Sequence, residues 1–92
     1  MKLPTLKKML ERVAESDGPV FTFAQGISAS LLIATDGQEL TVERITTIEL
    51  CDGFVEAKTS RSQRFLVEVD AVVGMSLSDE KVDSANAGFF SR

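Results

Sequence analysis

Histidine, tyrosine and tryptophan are absent from this chain of 92 residues, and cysteine occurs once. A single cysteine excludes an intrachain disulfide, and nothing else in the composition points to an oxidising compartment. Cys51 lies at a strand end before a turn, with no imidazole in the chain to take its proton, so thiol nucleophilic catalysis is not expected. No glycine-rich phosphate loop is present, and neither internal repeats nor low-complexity tracts occur. Asp36, Asp52 and Asp70 each sit at a turn, where aspartate serves local backbone hydrogen bonds, and their separation gives no metal-ligand spacing. Glu43, Glu49, Glu56 and Glu68 fall on outward strand positions and make no carboxylate pair. The expectation is a protein that is not an enzyme and carries neither metal nor cofactor. Long apolar runs are also missing: the longest, residues 27–34, is far too short to span a bilayer. Lys2, Lys7 and Lys8 precede no apolar core of the kind a secretory signal has. A cytoplasmic protein without membrane contact follows as the default expectation.

What is present is an ordinary globular composition, 43% hydrophobic and 26% charged, of a length that supports one modest core. Net charge is −4. Binding to nucleic acid rests on phosphate neutralisation by Lys and Arg, so a uniformly attractive surface is excluded while a local basic patch is not. So small a domain has little stability margin, and support from oligomerisation is expected.

The chain is organised around residues 35–78, where short alternating segments are punctuated by a turn signal every eight to twelve residues. Ahead of it, residues 3–16 read as a helix. Pro4 suits its first turn, Leu6, Met9, Leu10 and Val13 form one apolar stripe, and Asp17-Gly18-Pro19 stops it. Residues 20–25 alternate with Phe21 and Phe23 on one face. Residues 27–34 alternate with Ile27, Ala29, Leu31 and Ile33 together. A helix through 24–32 competes, but Asp36-Gly37 follows at once and is a strong hairpin signal. Residues 38–50 place Leu40, Val42, Ile48 and Leu50 on one face and Ile45 on the other, which demands a bulge or bend near 43–47. Asp52-Gly53 turns the chain into 54–59, with Val55, Ala57 and Thr59 sharing a face. After a polar loop, 64–69 places Phe65, Val67 and Val69 inward. Residues 70–74 read as one tight helical turn, 75–77 as a closing strand, and 79–92 as a polar tail carrying Phe89-Phe90. Residues 1–78 thus form a single domain.

A helix, then strands in this order with a bent long second strand and a one-turn link before the last, resembles the Sm-like family, which includes the Hfq, Sm and LSm types. Two stretches carry the likeness. TDGQELTV looks like the hairpin and second strand of the first Sm motif, and KTSRSQRFLVEVDAVVGM, residues 58–75, looks like the loop and last two strands of the second. The resemblance implies a fold that is mainly β: an N-terminal helix followed by a small, strongly bent antiparallel barrel of five or six strands. Other SH3-like barrels fit the strand pattern almost as well. It also implies a homo-oligomeric ring closed by pairing of the fourth and fifth barrel strands of neighbouring subunits, with Phe65, Leu66, Val67, Val69, Met75 and Leu77 at the interface. The family's Tyr-Lys-His element is replaced by Leu66-Val67-Glu68, and its Asp-x-x-x-Asn pattern is not matched, so no RNA-contacting residue carries over.

The residues themselves supply one candidate ligand site. Lys58, Arg61 and Arg64, interleaved with Ser60, Ser62 and Gln63, bring cations around one hairpin that a ring would repeat as a phosphate-binding rim for RNA or single-stranded DNA. Phe54 is the candidate stacking platform. The plainer readings are a solvated hairpin and a core phenylalanine. A second basic surface, Lys2, Lys7, Lys8 and Arg12 on the helix, reads as a solvated face. The competing functional reading is an oligomeric scaffold or adaptor with a protein partner, which the acidic balance favours.

Overall fold

The computed structural model describes residues 1–79, and every structural statement below concerns those residues. Helix α1 spans Leu3–Val13, followed by strands β1 (Glu15–Asp17), β2 (Val20–Thr22), β3 (Ile27–Thr35), β4 (Gln38–Leu50), β5 (Phe54–Thr59) and β6 (Arg64–Glu68). A single 3-10 turn, Val69–Ala71, leads into β7 (Val72–Asp79). The fold is mainly β, with one N-terminal helix and one antiparallel sheet curled into a half-barrel. The expected tail lies outside the described residues except for Asp79, which ends β7.

Local chemistry fixes the hairpins. Asp36 and Gly37 take φ of 47° and 80°, the paired positive values of the two-residue turn whose twist matches its strands, and Thr35 pairs with Gln38 across it. Asp17-Gly18-Pro19 acts differently from expectation. The helix ends at Val13, with Ala14 already extended, and Glu15–Asp17 form a strand that pairs with β2. Gly18, at φ 63°, opens a two-residue hairpin rather than capping a helix. The same residues serve both signals, and pairing of β2 with the distant Thr47–Glu49 segment decides between them.

The thirteen-residue β4 is the axis of the sheet. Its first half pairs with β3 from Gln38 to Val42, and Ile45 meets Ala29 after a register shift. Its second half pairs with β2 along one edge and β5 along the other. Arg44, at φ 62°, occupies the first irregularity, and a second register shift falls between Ile45 and Thr47. Each irregularity absorbs one residue and reverses the alternation. Val42, Ile45 and Ile48 are therefore all buried, although strict alternation would put Ile45 outside. The bend expected near 43–47 is present, and it turns Ile45 into the core. Leu40, expected beside Val42, stands 59% exposed.

Curling encloses one cluster: Phe21, Phe23, Ala29, Leu31, Ile33, Val42, Ile45, Ile48, Val55, Ala57, Val69 and Val72, closed by Leu6 and Leu10 of α1. Val13 packs at its margin, and Met9 is half-buried on the helix. The Met1 ammonium fastens the start of α1 to the 3-10 turn, donating to the Val72 carbonyl at 2.6 Å and reaching those of Val69 and Asp70 at 3.3 and 3.4 Å. β7 runs farther than the short closing strand expected, pairing with β3 from Ile27↔Asp79 to Ile33↔Val72. The sheet has seven strands rather than five or six, because β1 and β2 form a hairpin added to the far half of β4.

The helix seals the cluster through two leucines only. Leu10→Ala is expected to lower the unfolding free energy by about 3 kcal/mol, and Met9→Ala by under about 1 kcal/mol, because only the first leaves a buried cavity. Urea unfolding followed by circular dichroism checks the difference.

Candidate functional site

β5 and β6 deliver the expected basic residues to one end of the half-barrel. Lys58 closes β5 and lies directly across from Arg64, which opens β6. Arg61 sits in the loop between them. That loop is fixed by Thr59: its buried hydroxyl accepts from the Arg61 and Gln63 amides at 3.3 and 3.2 Å, while Thr59 N–H donates to the Gln63 carbonyl at 2.9 Å. The three cations are not equivalent. Arg64 Nε lies 3.3 Å from Glu56 Oε2, an ion pair open to solvent and worth under about 1 kcal/mol. Lys58 and Arg61 have no such partner among the described residues.

Arg44, not singled out by sequence reasoning, joins this end. The Ser60 amide donates to the Arg44 carbonyl at 2.9 Å, so the first irregularity of β4 and the β5–β6 loop are joined. Between them lies a cleft of about 360 Å³ bordered by Thr41, Glu43, Arg44, Arg61, Gln63 and Phe65. The out-of-phase Ile45 was the available signal that a special backbone position lay nearby, but it did not say which side chain that position would present. Phe54, by contrast, lies at the other end of β5, opposite Glu68. Four residues of extended strand separate it from Lys58, about 13 Å. It is not brought together with the basic loop; Phe65 is the aromatic that borders the same cleft as Arg61.

The expected interface residues divide. Leu66 is 69% exposed on β6, Phe65 and Leu77 are also exposed, and Val67 is half-buried. Met75 packs against the margin of the core, and Val69, at 4% exposure in the 3-10 turn, lies inside it and presents no surface to another chain. Val73, on β7, is exposed and adds to the apolar set. Among the described residues β6 pairs only with β5, and β7 only with β3, so each has one edge without a strand partner there. Because β3 and β5 share Ile45, they occupy opposite edges of β4, which leaves residues 38–43 without a strand partner on the β5 side among the described residues. An apolar groove of about 460 Å³ runs between that edge and β6, walled by Leu40, Val42, Phe65 and Leu66.

The remaining candidates stay apart. Asp36, Asp52 and Asp70 occupy separate turns, and among the described residues no three His, Cys, Asp or Glu side chains gather as a metal site would require. Lys2, Lys7, Lys8 and Arg12 are exposed on α1. Among the described residues no helix is long and apolar enough to cross a membrane. Phe89-Phe90 lies outside the described residues. Comparison with protein-family models, curated proteins and solved structures returned no match to the chain.

Cys51 is half-buried, and its thiol points toward the Glu49 carbonyl at 3.9 Å. Partial burial, then the Glu49 and Glu56 carboxylates, push its pKa above the usual thiol value. Less thiolate is therefore present at any given pH. Alkylation by iodoacetamide is expected to be slower than for free cysteine, with its rate profile displaced to higher pH, and Glu49→Gln is expected to move the profile back down. Rates measured by mass spectrometry across pH check the sign.

Proposed function

We propose that this chain is a non-enzymatic small barrel of the Sm-like type that assembles with copies of itself and holds single-stranded nucleic acid at its basic end. The observation that carries the reading is the pair of open edges. Among the described residues β6 and β7 each have one side without a strand partner and carry exposed Leu66, Val73 and Leu77, without proline and with charges only at the strand ends, Arg64, Glu68 and Asp79. Pairing β6 of one copy with β7 of the next joins two different surfaces, and such a contact closes into a ring when the rotation between copies permits. It is also the arrangement that the sequence resemblance implies. Burial of these leucines and Val73 supplies the stabilisation that so small a core lacks.

The basic end gives the assembly its ligand. Lys58, Arg61 and Arg64 recur in every copy, and a ring sets them along one rim. Net charge of −4 keeps the body from attracting polyanions, which confines binding to that rim.

Sedimentation equilibrium is expected to show an oligomer, with Leu66→Lys shifting the assembly equilibrium toward monomer by about tenfold or more while leaving the circular dichroism spectrum unchanged. A monomer throughout the micromolar range overturns the assembly. Affinity for a fluorescent oligo(dT) or oligo(U) is expected to fall steeply with salt and to be lost in the Arg61→Glu, Arg64→Glu double variant. An oligomer that binds neither oligonucleotide at low salt overturns the nucleic-acid half and favours the protein scaffold.

A further inference from the structure

The cleft between the β4 bend and the β5–β6 loop has features that a general basic surface lacks. Arg44 holds a left-handed backbone conformation, φ 62°, which an L side chain adopts at a cost and which Gly or Asn accepts more readily. The fold needs a left-handed residue here to pass the bulge; nothing in the fold needs it to be arginine. Arg44 borders the cleft together with Arg61, and neither is ion-paired among the described residues. Two arginines on one cleft suit a phosphate, whose oxygens accept paired N–H donors. Phe65 borders the same cleft and is 37% exposed, and Gln63 adds an amide that can donate and accept. A volume of about 360 Å³ lies at the small end of ligand clefts.

We infer that this cleft takes one nucleotide unit of a single strand, with the phosphate on Arg44 and Arg61 and the base against Phe65 and Gln63. The inference rests on the nucleic-acid reading above and assigns it a pocket. A single strand fits better than a duplex because a stacked, paired base cannot turn its face to Phe65. Glu43 also borders the cleft, so it carries two positive charges and one negative. That carboxylate weakens phosphate binding, and its removal gives a signed test.

Arg44→Gly is the decisive variant, because it suits the left-handed backbone while removing the guanidinium. With the full chain and a fluorescent oligo(dT) as probe, Arg44→Gly is expected to lose about tenfold or more in affinity with an unchanged or higher Tm. Glu43→Gln is expected to bind several-fold tighter, and inorganic tripolyphosphate to displace the oligonucleotide only at much higher concentration than unlabelled oligo(dT) does. Wild-type binding that survives Arg44→Gly undiminished overturns the pocket while leaving nucleic-acid binding at the rim intact. No binding by the wild type at low salt overturns both. Displacement by tripolyphosphate as readily as by oligo(dT), phosphate for phosphate, overturns the role given to Phe65 and Gln63.

Discussion

One strand has to turn a corner. β4 must pair with β3 over its first half and with both β2 and β5 over its second, and a straight strand cannot present its inner face to one core along that whole path. The two register irregularities resolve this. They place Val42, Ile45 and Ile48 at three-residue intervals on the inside of a curled sheet, so a chain of 92 residues encloses a core that a flat sheet would leave half open. The strain falls on Arg44, and the geometry of everything else is set from there. The hairpin of β3 and β4 carries β7 on its outer side, while the far half carries the β1–β2 addition and the β5–β6 hairpin. The open stretch 38–43, the apolar groove beside it and the cleft at Arg44 are all consequences of the same corner.

The curl leaves an opening, and α1 covers it. Leu6 and Leu10 are fully buried, each worth about 2 kcal/mol in transfer terms, and the Met1 ammonium ties the helix start to carbonyls of the 3-10 turn. Cover and turn are thereby joined: the turn presents acceptors to the ammonium, and Val69 and Val72 belong to the same buried cluster as Leu6 and Leu10. Among the described residues nothing equivalent covers Leu40, Leu66, Val73 and Leu77. The proposed assembly rests on this contrast between a sealed end and bare edges.

Features legible in the sequence were those decided by neighbours in the chain. Alternation in 27–34 and in Val55, Ala57 and Thr59 matches their burial, and Asp36-Gly37 makes its hairpin because backbone preference at two adjacent residues suffices. The out-of-phase Ile45 located the corner. What sequence did not yield was decided at a distance. Residues 15–17 leave the helix because β2 has a partner in Thr47–Glu49. Phe54 and Phe65 are indistinguishable as aromatics near polar turns, and only the register Phe54↔Glu68 and Ala57↔Phe65 puts one at the far end and the other by the basic loop. Arg44 falls on the face of Leu40 and Val42 under strict alternation, so its charge only repeats the signal of Ile45 that the strand bends, without saying that it borders a cleft.

An acidic protein with a basic end is no contradiction once distances are considered. Electrostatic interaction across solvent decays over about 8 Å at physiological ionic strength. Asp52 lies beyond the far end of β5, more than about 13 Å of extended strand from Lys58, and so contributes little to the potential at the loop. Glu43 and Glu56 lie close enough to matter; Glu56 is already engaged by Arg64. The local balance therefore remains positive but small, and under the proposed reading a single copy holds one nucleotide weakly. Repetition changes the outcome. In the proposed assembly a strand engaged at one cleft is held near the next, and its second contact forms at an effective concentration set by the short span between copies rather than by the bulk. Weak individual sites on an acidic body then favour long single strands over free nucleotides and short fragments, a selectivity that a strongly basic surface would not give.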